Sequence, residues 1–366
     1  MTLNIVTYMK TLFYTGLFLF LFSSCLKEVE DYSNVVYNDD NNIIEKNEKK
    51  ELIKLSSGET IVKVGDEYFY SDDIKLSEEQ FLSLKNYGIL FSKSTYDYNP
   101  KKSSSGVPVI PESGMAFYDN RISTSFGLTP YVGKFWSMAR FKFNKNITPS
   151  QERAIRSAIR YIENETNVRF YDATNDPDRH PQHGFVYPNI VFTASNVNNS
   201  PVGRIGGNQI VNIHNFTLGT IVHEICHSLG MLHEQCRADR DKYIDINYQN
   251  IISGKAYNFN KINHNYFMLG SFDFESIMCY NSYSFSKNGL PTMTKKDGTT
   301  FWERDILSEN DKRFLNTFYL PLIKRNDVCL QLDRRMFDQN NNLLSEREIE
   351  DIEREINTNR CDYPLR

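Results

Sequence analysis

Apolar positions recur along this chain with two periods. Alternation marks strands at residues 59–64 and 67–70, which flank Gly65-Asp66 like a hairpin, and again at Ala139–Phe143, 189–193 and 209–213. Helical spacing appears in Ala154, Ile155, Ala158, Ile159 and Ile162, a stripe typical of core packing. Thr148-Pro149-Ser150-Gln151 precedes it as a capping signal with proline at the first helical position. Ser77 caps a shorter helix through Gln80, Phe81 and Leu84. The strongest helical pattern lies at 220–234, where Ile221, Val222, Ile225 and Leu229 predict a buried helix.

Between these elements the composition shifts. Lys10 and a short apolar run at 11–22 precede Ser23-Ser24-Cys25; the run is too short to span a bilayer, so residues 1–25 read as a signal peptide. Small residues before a cysteine resemble the bacterial lipobox, which predicts lipidation of Cys25 and a membrane tether. The expected location is the bacterial cell envelope, as an outer-membrane or cell-surface lipoprotein, or otherwise the secreted fraction. Residues 26–58, acidic and Asn-rich, read as a disordered tether, and 59–91 as an ordered segment. Residues 92–129 form a Ser-, Pro- and Lys-rich linker that proteases would cut readily, with Lys101-Lys102 and Arg121 as candidate points. The main domain spans 130–320, and 321–366 form a C-terminal extension.

Charge removes one class of function. The formal net charge is −4 with no dense basic run, so nucleic-acid binding has no electrostatic source.

Histidine spacing supplies the chemistry. His223 and His227 lie four residues apart, about one turn, on one face of the predicted helix. Gly230 can take the left-handed conformation that turns the chain sharply and brings His233 back as a third ligand. Three protein ligands and an open position suit one catalytic zinc, and Glu224 beside the first ligand is positioned to take a proton from water. His180, His183, His214 and His264 fall outside this pattern and read as surface or hydrogen-bonded residues.

His223-Glu-x-x-His227-x-x-Gly230-x-x-His233 is the metzincin signature, and Ser276-Ile277-Met278-Cys279-Tyr280 supplies the methionine turn. With Glu234 and the run Arg237 to Asp241, residues 130–320 resemble the astacin family. The resemblance implies an α+β zincin fold: a twisted mixed sheet and active-site helix form the N-terminal subdomain, and an irregular C-terminal subdomain follows the zinc motif. It implies an endopeptidase acting on proteins or peptides, with Glu224 as general base and acid and Tyr280 as oxyanion stabiliser. Met278 becomes the floor beneath the imidazoles and Glu234 the acid that secures a newly made N-terminus. Cys279 stands where the family has histidine, so no role transfers to it.

Astacin proregions carry Phe-x-Gly-Asp-Ile, whose aspartate occupies the zinc. Tyr70-Ser71-Asp72-Asp73-Ile74 is similar, with Asp72 in place of glycine, and implies that Asp73 is a zinc ligand in a latent form. A solvated acidic turn is the competing reading. Setting Cys25 aside leaves an odd number of cysteines, with Cys236–Cys279 and Cys329–Cys361 as candidate pairs and Cys226 as a buried thiol. Asp338, Asn340 and Asn342 resemble an EF-hand start, but the glycine is missing and the run to Glu348 is one residue short, so calcium is not expected. The functional alternative is a surface-displayed binding protein on an inactive metzincin scaffold; the presence of Glu224 favours the enzyme. Nothing in the chain identifies the substrate or the activating protease.

Overall fold

The structure is a computed structural model that describes residues 34–37, 43–46, 50–88, 90, 135–181, 184, 186–262, 268–324 and 329–357. The chain divides into two compact units, 1–50 and 51–366. In the first, β1 (Asn34–Tyr37) pairs antiparallel with β2 (Ile43–Lys46).

The second unit opens within β3 (Lys50–Lys54), an edge strand where the sequence predicts tether. Its side chains are mostly exposed and charged, which is how an edge strand avoids further pairing and why it does not read as a strand. Next come β4 (Thr60–Val64) and β5 (Glu67–Ser71), antiparallel around Gly65, whose φ of 57° suits glycine. β6 (Ile74–Leu76) returns against β5. Helix α1 (Glu78–Tyr87) is closed by a Ser77/Gln80 capping box and by Gly88 at φ 67°.

The main sheet holds β7 (Ala139–Phe143), β8 (Phe170–Asp172), β9 (Asn189–Ala194) and β11 (Asn208–Ile213) in the order β11-β9-β7-β8, all paired in parallel. Two-residue β10 (Ser200–Pro201) follows an antiparallel bridge from Asn199 to Asn212 of β11, which makes the sheet mixed. Its other edge pairs in parallel with β6, Ser200 opposite Ile74 and Pro201 opposite Lys75. The N-terminal strands thus continue the main sheet. Their core joins it as well: Ile61, Tyr70, Ile74, Leu76, Phe81 and Leu84 pack against Val202 and Leu232.

α2 (Pro149–Glu165), capped by Thr148 and Gln151, buries Ile155, Ala158, Ile159 and Ile162. These residues pack with Phe141, Ile190, Phe192, Val211 and Ile213 of the sheet, and with Ile221, Val222 and Ile225 of α3 (Leu218–Ser228). Each such buried aliphatic contributes roughly 1.5–3 kcal/mol. After α3 the chain is irregular except for β12 (Ile244–Ile246) against β13 (Met293–Lys295), around a core including Ile251, Phe259, Phe272 and Phe301. α4 (Glu309–Phe318) returns Phe314, Leu315 and Phe318 to the main core.

The extension folds on α5 (Glu346–Ile356), whose Ile349, Ile352 and Ile356 cover Leu322, Leu332 and Met336. It docks on the loop after α2. Asn167 and Phe337 exchange two hydrogen bonds of 2.7 and 2.8 Å, and Arg169 pairs with Asp333 at 3.0 Å. The Asp338 loop closes on its own backbone, and Ser345 with Glu348 caps α5, as expected of a structural turn. Cysteine pairing departs from expectation: Cys236 and Cys279 are free, buried thiols, as is Cys226. Odd parity in a sequence carries no distance information, and a bridge needs close, aligned Cβ atoms. Cys329 is disulfide-bonded, whereas Cys361 and Cys25 lie outside the described residues.

Candidate active site

Helix α3 presents the first two imidazoles. Thr217 caps it, and its apolar face is fully buried, so His223 and His227 project together from a rigid element. Leu229 is the last cap residue. Gly230 then adopts φ 101°, a conformation that L side chains rarely take, and its N–H donates to the carbonyl of His227 at 2.8 Å. That reversal brings the His233 ring to 4.7 Å from His227 and 5.4 Å from His223. Trp136 Nε1, donating to Ser228 O at 2.8 Å, and the Tyr319 hydroxyl, donating to Leu229 O at 2.7 Å, fix the end of the helix.

The ring orientations are set from outside. Nδ1 of His227 is bound to the carbonyl of Met231 at 2.9 Å, and Nδ1 of His223 to that of Ile277 at 2.9 Å, which leaves each Nε2 facing inward. Asp73, at the tip of the β5–β6 hairpin, reaches the same point: its Oδ2 lies 3.0 Å from His233 Nε2 and 3.8 Å from His223 Nε2. One ligand atom from each of Asp73, His223, His227 and His233 falls within 4.8 Å of the others. The Tyr280 hydroxyl donates to both Asp73 oxygens, at 3.1 and 3.0 Å.

Among the described residues, buried polar atoms of this centre without a protein partner include Nε2 of His227, Nδ1 of His233 and Oε2 of Glu224. An orphaned imidazole nitrogen among two others and a carboxylate is a donor set suited to zinc, so the residues fit the ion. Electrostatics agree. Burial pulls the His227 imidazole well below its ordinary range, leaving a neutral ligand. Burial pushes the Glu224 carboxyl well above its own range, and neighbouring Asp73 adds to this against the pull of His223. At Asp73 burial is outweighed by His233 and by hydrogen bonds with His223 and His233, which hold the carboxyl well below the usual value. Burial, then Asp73, push the Tyr280 phenol well above 10, so it stays a donor.

The turn beneath carries Met278, buried against the main core. It is strapped on both sides. Met278 O accepts from Glu234 N at 3.0 Å and Tyr280 N donates to Gln235 Oε1 at 3.2 Å. From α4, Asp311 accepts the Ser276 hydroxyl at 2.7 Å and the Ile277 N–H at 2.9 Å. Cys279 turns into the core around Phe259 and Phe272. Glu234 accepts from Asp273 N at 2.8 Å and pairs with Arg237 at 3.0 Å beside a cavity of about 30 Å³. Burial pushes its carboxyl up to about 8.

Sequence reasoning missed Asp311, Gln235, Lys255, Tyr257 and Asn258. Only Asp311 left a local mark, as the fourth residue of the capping box begun by Ser308. His180 and His214 stay outside the metal group; His214 Nδ1 lies 3.3 Å from Ser195 O and His180 rests on Tyr187. His183, His264, Lys101, Lys102 and Arg121 lie outside the described residues.

Comparison with known proteins follows the same outline. Residues 129–320 match the family model for Astacin, a peptidase family. Flavastacin of Elizabethkingia meningoseptica is 35% identical over 259 residues, covering 69% of this chain and 51% of that protein. Zinc metalloproteinase nas-14 of Caenorhabditis elegans is 36% identical over 204 residues, covering 54% of this chain and 39% of that protein. Among solved structures, high choriolytic enzyme 1, a hatching enzyme zinc-protease of the medaka fish Oryzias latipes, is 27% identical with a TM-score of 0.45, covering 60% of this chain and 98% of that one. The chain spans about half or less of the length of these two curated relatives. With more than half of its residues matched by the family model and the family's metal ligands brought together, the chain belongs to the astacin family.

Proposed function

We propose that this protein is a zinc-dependent endopeptidase made as a latent precursor. The observation that carries the reading is the convergence of His223, His227, His233 and Asp73 within 4.8 Å beside the unpartnered carboxylate oxygen of Glu224. The three histidines would hold the ion. Bound zinc supplies a Lewis acid and makes a water molecule acidic near neutral pH.

The chain's own residues do the rest. Glu224, buried beside the first ligand with one carboxylate oxygen unpartnered, accepts the water proton and returns it to the leaving amine. Tyr280 keeps its phenolic proton and donates a hydrogen bond to the oxyanion that develops from the scissile carbonyl. Met278 packs beneath the ligands, and Gly230 allows the turn between the second and third. Proteins or peptides are the substrates.

Latency follows from Asp73, which lies where the reacting groups must meet and accepts the Tyr280 hydroxyl meant for the oxyanion. Residues 59–91 act as propeptide, 92–129 as the cleaved linker and 130–320 as the catalytic domain. After cleavage Glu234 anchors the new N-terminus: its cavity is lined by Glu234, Asp273 and Asp311 against the single cation Arg237, an acidic setting for an incoming ammonium. The motif ending at Cys25 supports export and lipid anchoring at a bacterial cell surface.

Cleavage of a protein substrate by the chain lacking residues 1–25, before and after limited trypsin treatment, tests this reading, with Glu224→Ala as control. Activity should appear only after nicking and vanish in the variant. Stoichiometric zinc with no cleavage in any nicked form would give the site to a binding protein instead.

A further inference from the structure

Asp72 stands where the family pattern has glycine, and its side chain is fully engaged. One carboxylate oxygen accepts from the hydroxyl of Tyr257 and the other pairs with Nζ of Lys255. Its backbone N–H donates to Asn258 Oδ1 at 2.8 Å. The Asp72 and Lys255 side chains are each only 13% exposed, and Asn258 is fully buried. All three partners belong to one short segment, the 3-10 turn Ala256–Phe259 and the residue before it. That segment is itself braced: Asn258 Nδ2 donates to Lys255 O at 3.2 Å, and Asn260 Nδ2 reaches back to Thr60 O of β4 at 3.0 Å.

We infer that Lys255 and Tyr257 form a carboxylate-binding site, occupied by Asp72 in the uncleaved chain while Asn258 holds the Asp72 backbone N–H, and that this site shares with Asp73 the work of holding the hairpin tip across the metal centre. The inference rests on the latent-precursor reading. Asp72 and Asp73 are consecutive tip residues between β5 and β6, yet one faces the imidazoles and the other the 255–258 segment. Ser200 N–H, donating to Asp73 O at 2.9 Å, pins the tip from a third side.

Two carboxylates in series resist opening better than one. A single aspartate at a metal exchanges with water by a small rotation of its side chain, and the backbone bond from Ser200 is then the next contact that keeps the tip from lifting. With Asp72 engaged, lifting must also separate an ion pair that is largely shielded from solvent, where salt screens little and charge-assisted hydrogen bonds are strong. Glycine at this position offers no such contact. This chain therefore has a latency determinant that the family pattern lacks.

The test uses the uncleaved, zinc-loaded precursor and reads the rate at which an excess of chelator extracts zinc, together with residual cleavage of a fluorogenic peptide. Asp72→Asn, Asp72→Gly and Lys255→Met should each accelerate extraction on the order of tenfold or more, and Lys255→Arg should stay near the parent rate. The double variant Asp72→Asn/Lys255→Met should match either single one, because both remove the same contact. Amide exchange at Ser200 in the metal-free precursor, which reads tip opening without zinc or catalysis, should rise in parallel. Unchanged extraction and Ser200 exchange in the Asp72 and Lys255 variants, with Asp73→Ala strongly accelerated, overturn this inference alone. If Asp73→Ala is also unchanged, the latent-precursor reading falls with it.

Discussion

Nδ1 of His223 is bound to the carbonyl of Ile277 at 2.9 Å, so the turn that carries Met278 and Tyr280 is tied to a candidate metal ligand. The same residue continues outward, its Ile277 N–H donating to Oδ2 of Asp311 at 2.9 Å. A helix cap in α4 thereby orients an imidazole it never touches.

Removing that strap should loosen the metal. Asp311→Ala is expected to weaken zinc binding about 10- to 100-fold, the usual effect of losing a supporting hydrogen bond. Competition against a chromophoric chelator at equilibrium measures it, with circular dichroism to verify the fold. Retention of parental affinity would show that the turn needs no support from α4.

The same carboxyl predicts a pH dependence of stability. Burial raises it from 3.8 to about 6, against the hydrogen bonds from Ser308, Ile277 and Ser276. The folded state therefore holds this proton more tightly than the unfolded chain. The resulting stabilisation is complete below about pH 4 and is lost as pH rises through 6, a span of about 3 kcal/mol. Between pH 4 and 7 the melting temperature of the parent should fall relative to that of Asp311→Asn, and parallel curves would contradict the assignment.

Tyr280→Phe removes the hydroxyl and little else, because its ring still packs at 4.5 Å from His233. After activation, kcat should fall about 10²- to 10³-fold with KM nearly unchanged, as for the loss of one oxyanion donor. A rise in KM of comparable size, with kcat preserved, would instead mark the hydroxyl as a ground-state contact.

Arg169 joins the extension to the main domain. Its guanidinium is nearly buried, donating to the carbonyls of Glu163, Thr166, Val168 and Arg335 while pairing with Asp333. Arg169→Ala should cost about 2–4 kcal/mol and make 330–357 the first region to lose amide protection in hydrogen exchange. Protection lost uniformly would mean the extension is not docked through this residue.

Much of the centre was legible because its logic is local. Ligand spacing on one helix and a glycine at the turn are read within a few residues. Contacts between distant segments leave no such mark: Asp72 and Lys255 are 183 positions apart, and neither is unusual among its neighbours. Asp73 was legible only through the family pattern, and Cys236 and Cys279 misled because parity says nothing of separation. β3 was missed for another reason, since an edge strand with few buried side chains has no apolar alternation to detect.

The parallel pairing of β6 with β10 separates two events that a protease assay usually merges. On the latent-precursor reading proposed above, a cut between α1 and Phe135 breaks the covalent thread but leaves β6 hydrogen-bonded to β10, which is itself bridged to β11. Onset of activity is then governed by dissociation of a non-covalent fragment. It would show a lag that more activating protease does not shorten, completeness that improves on dilution, and reversal when the released fragment is added back.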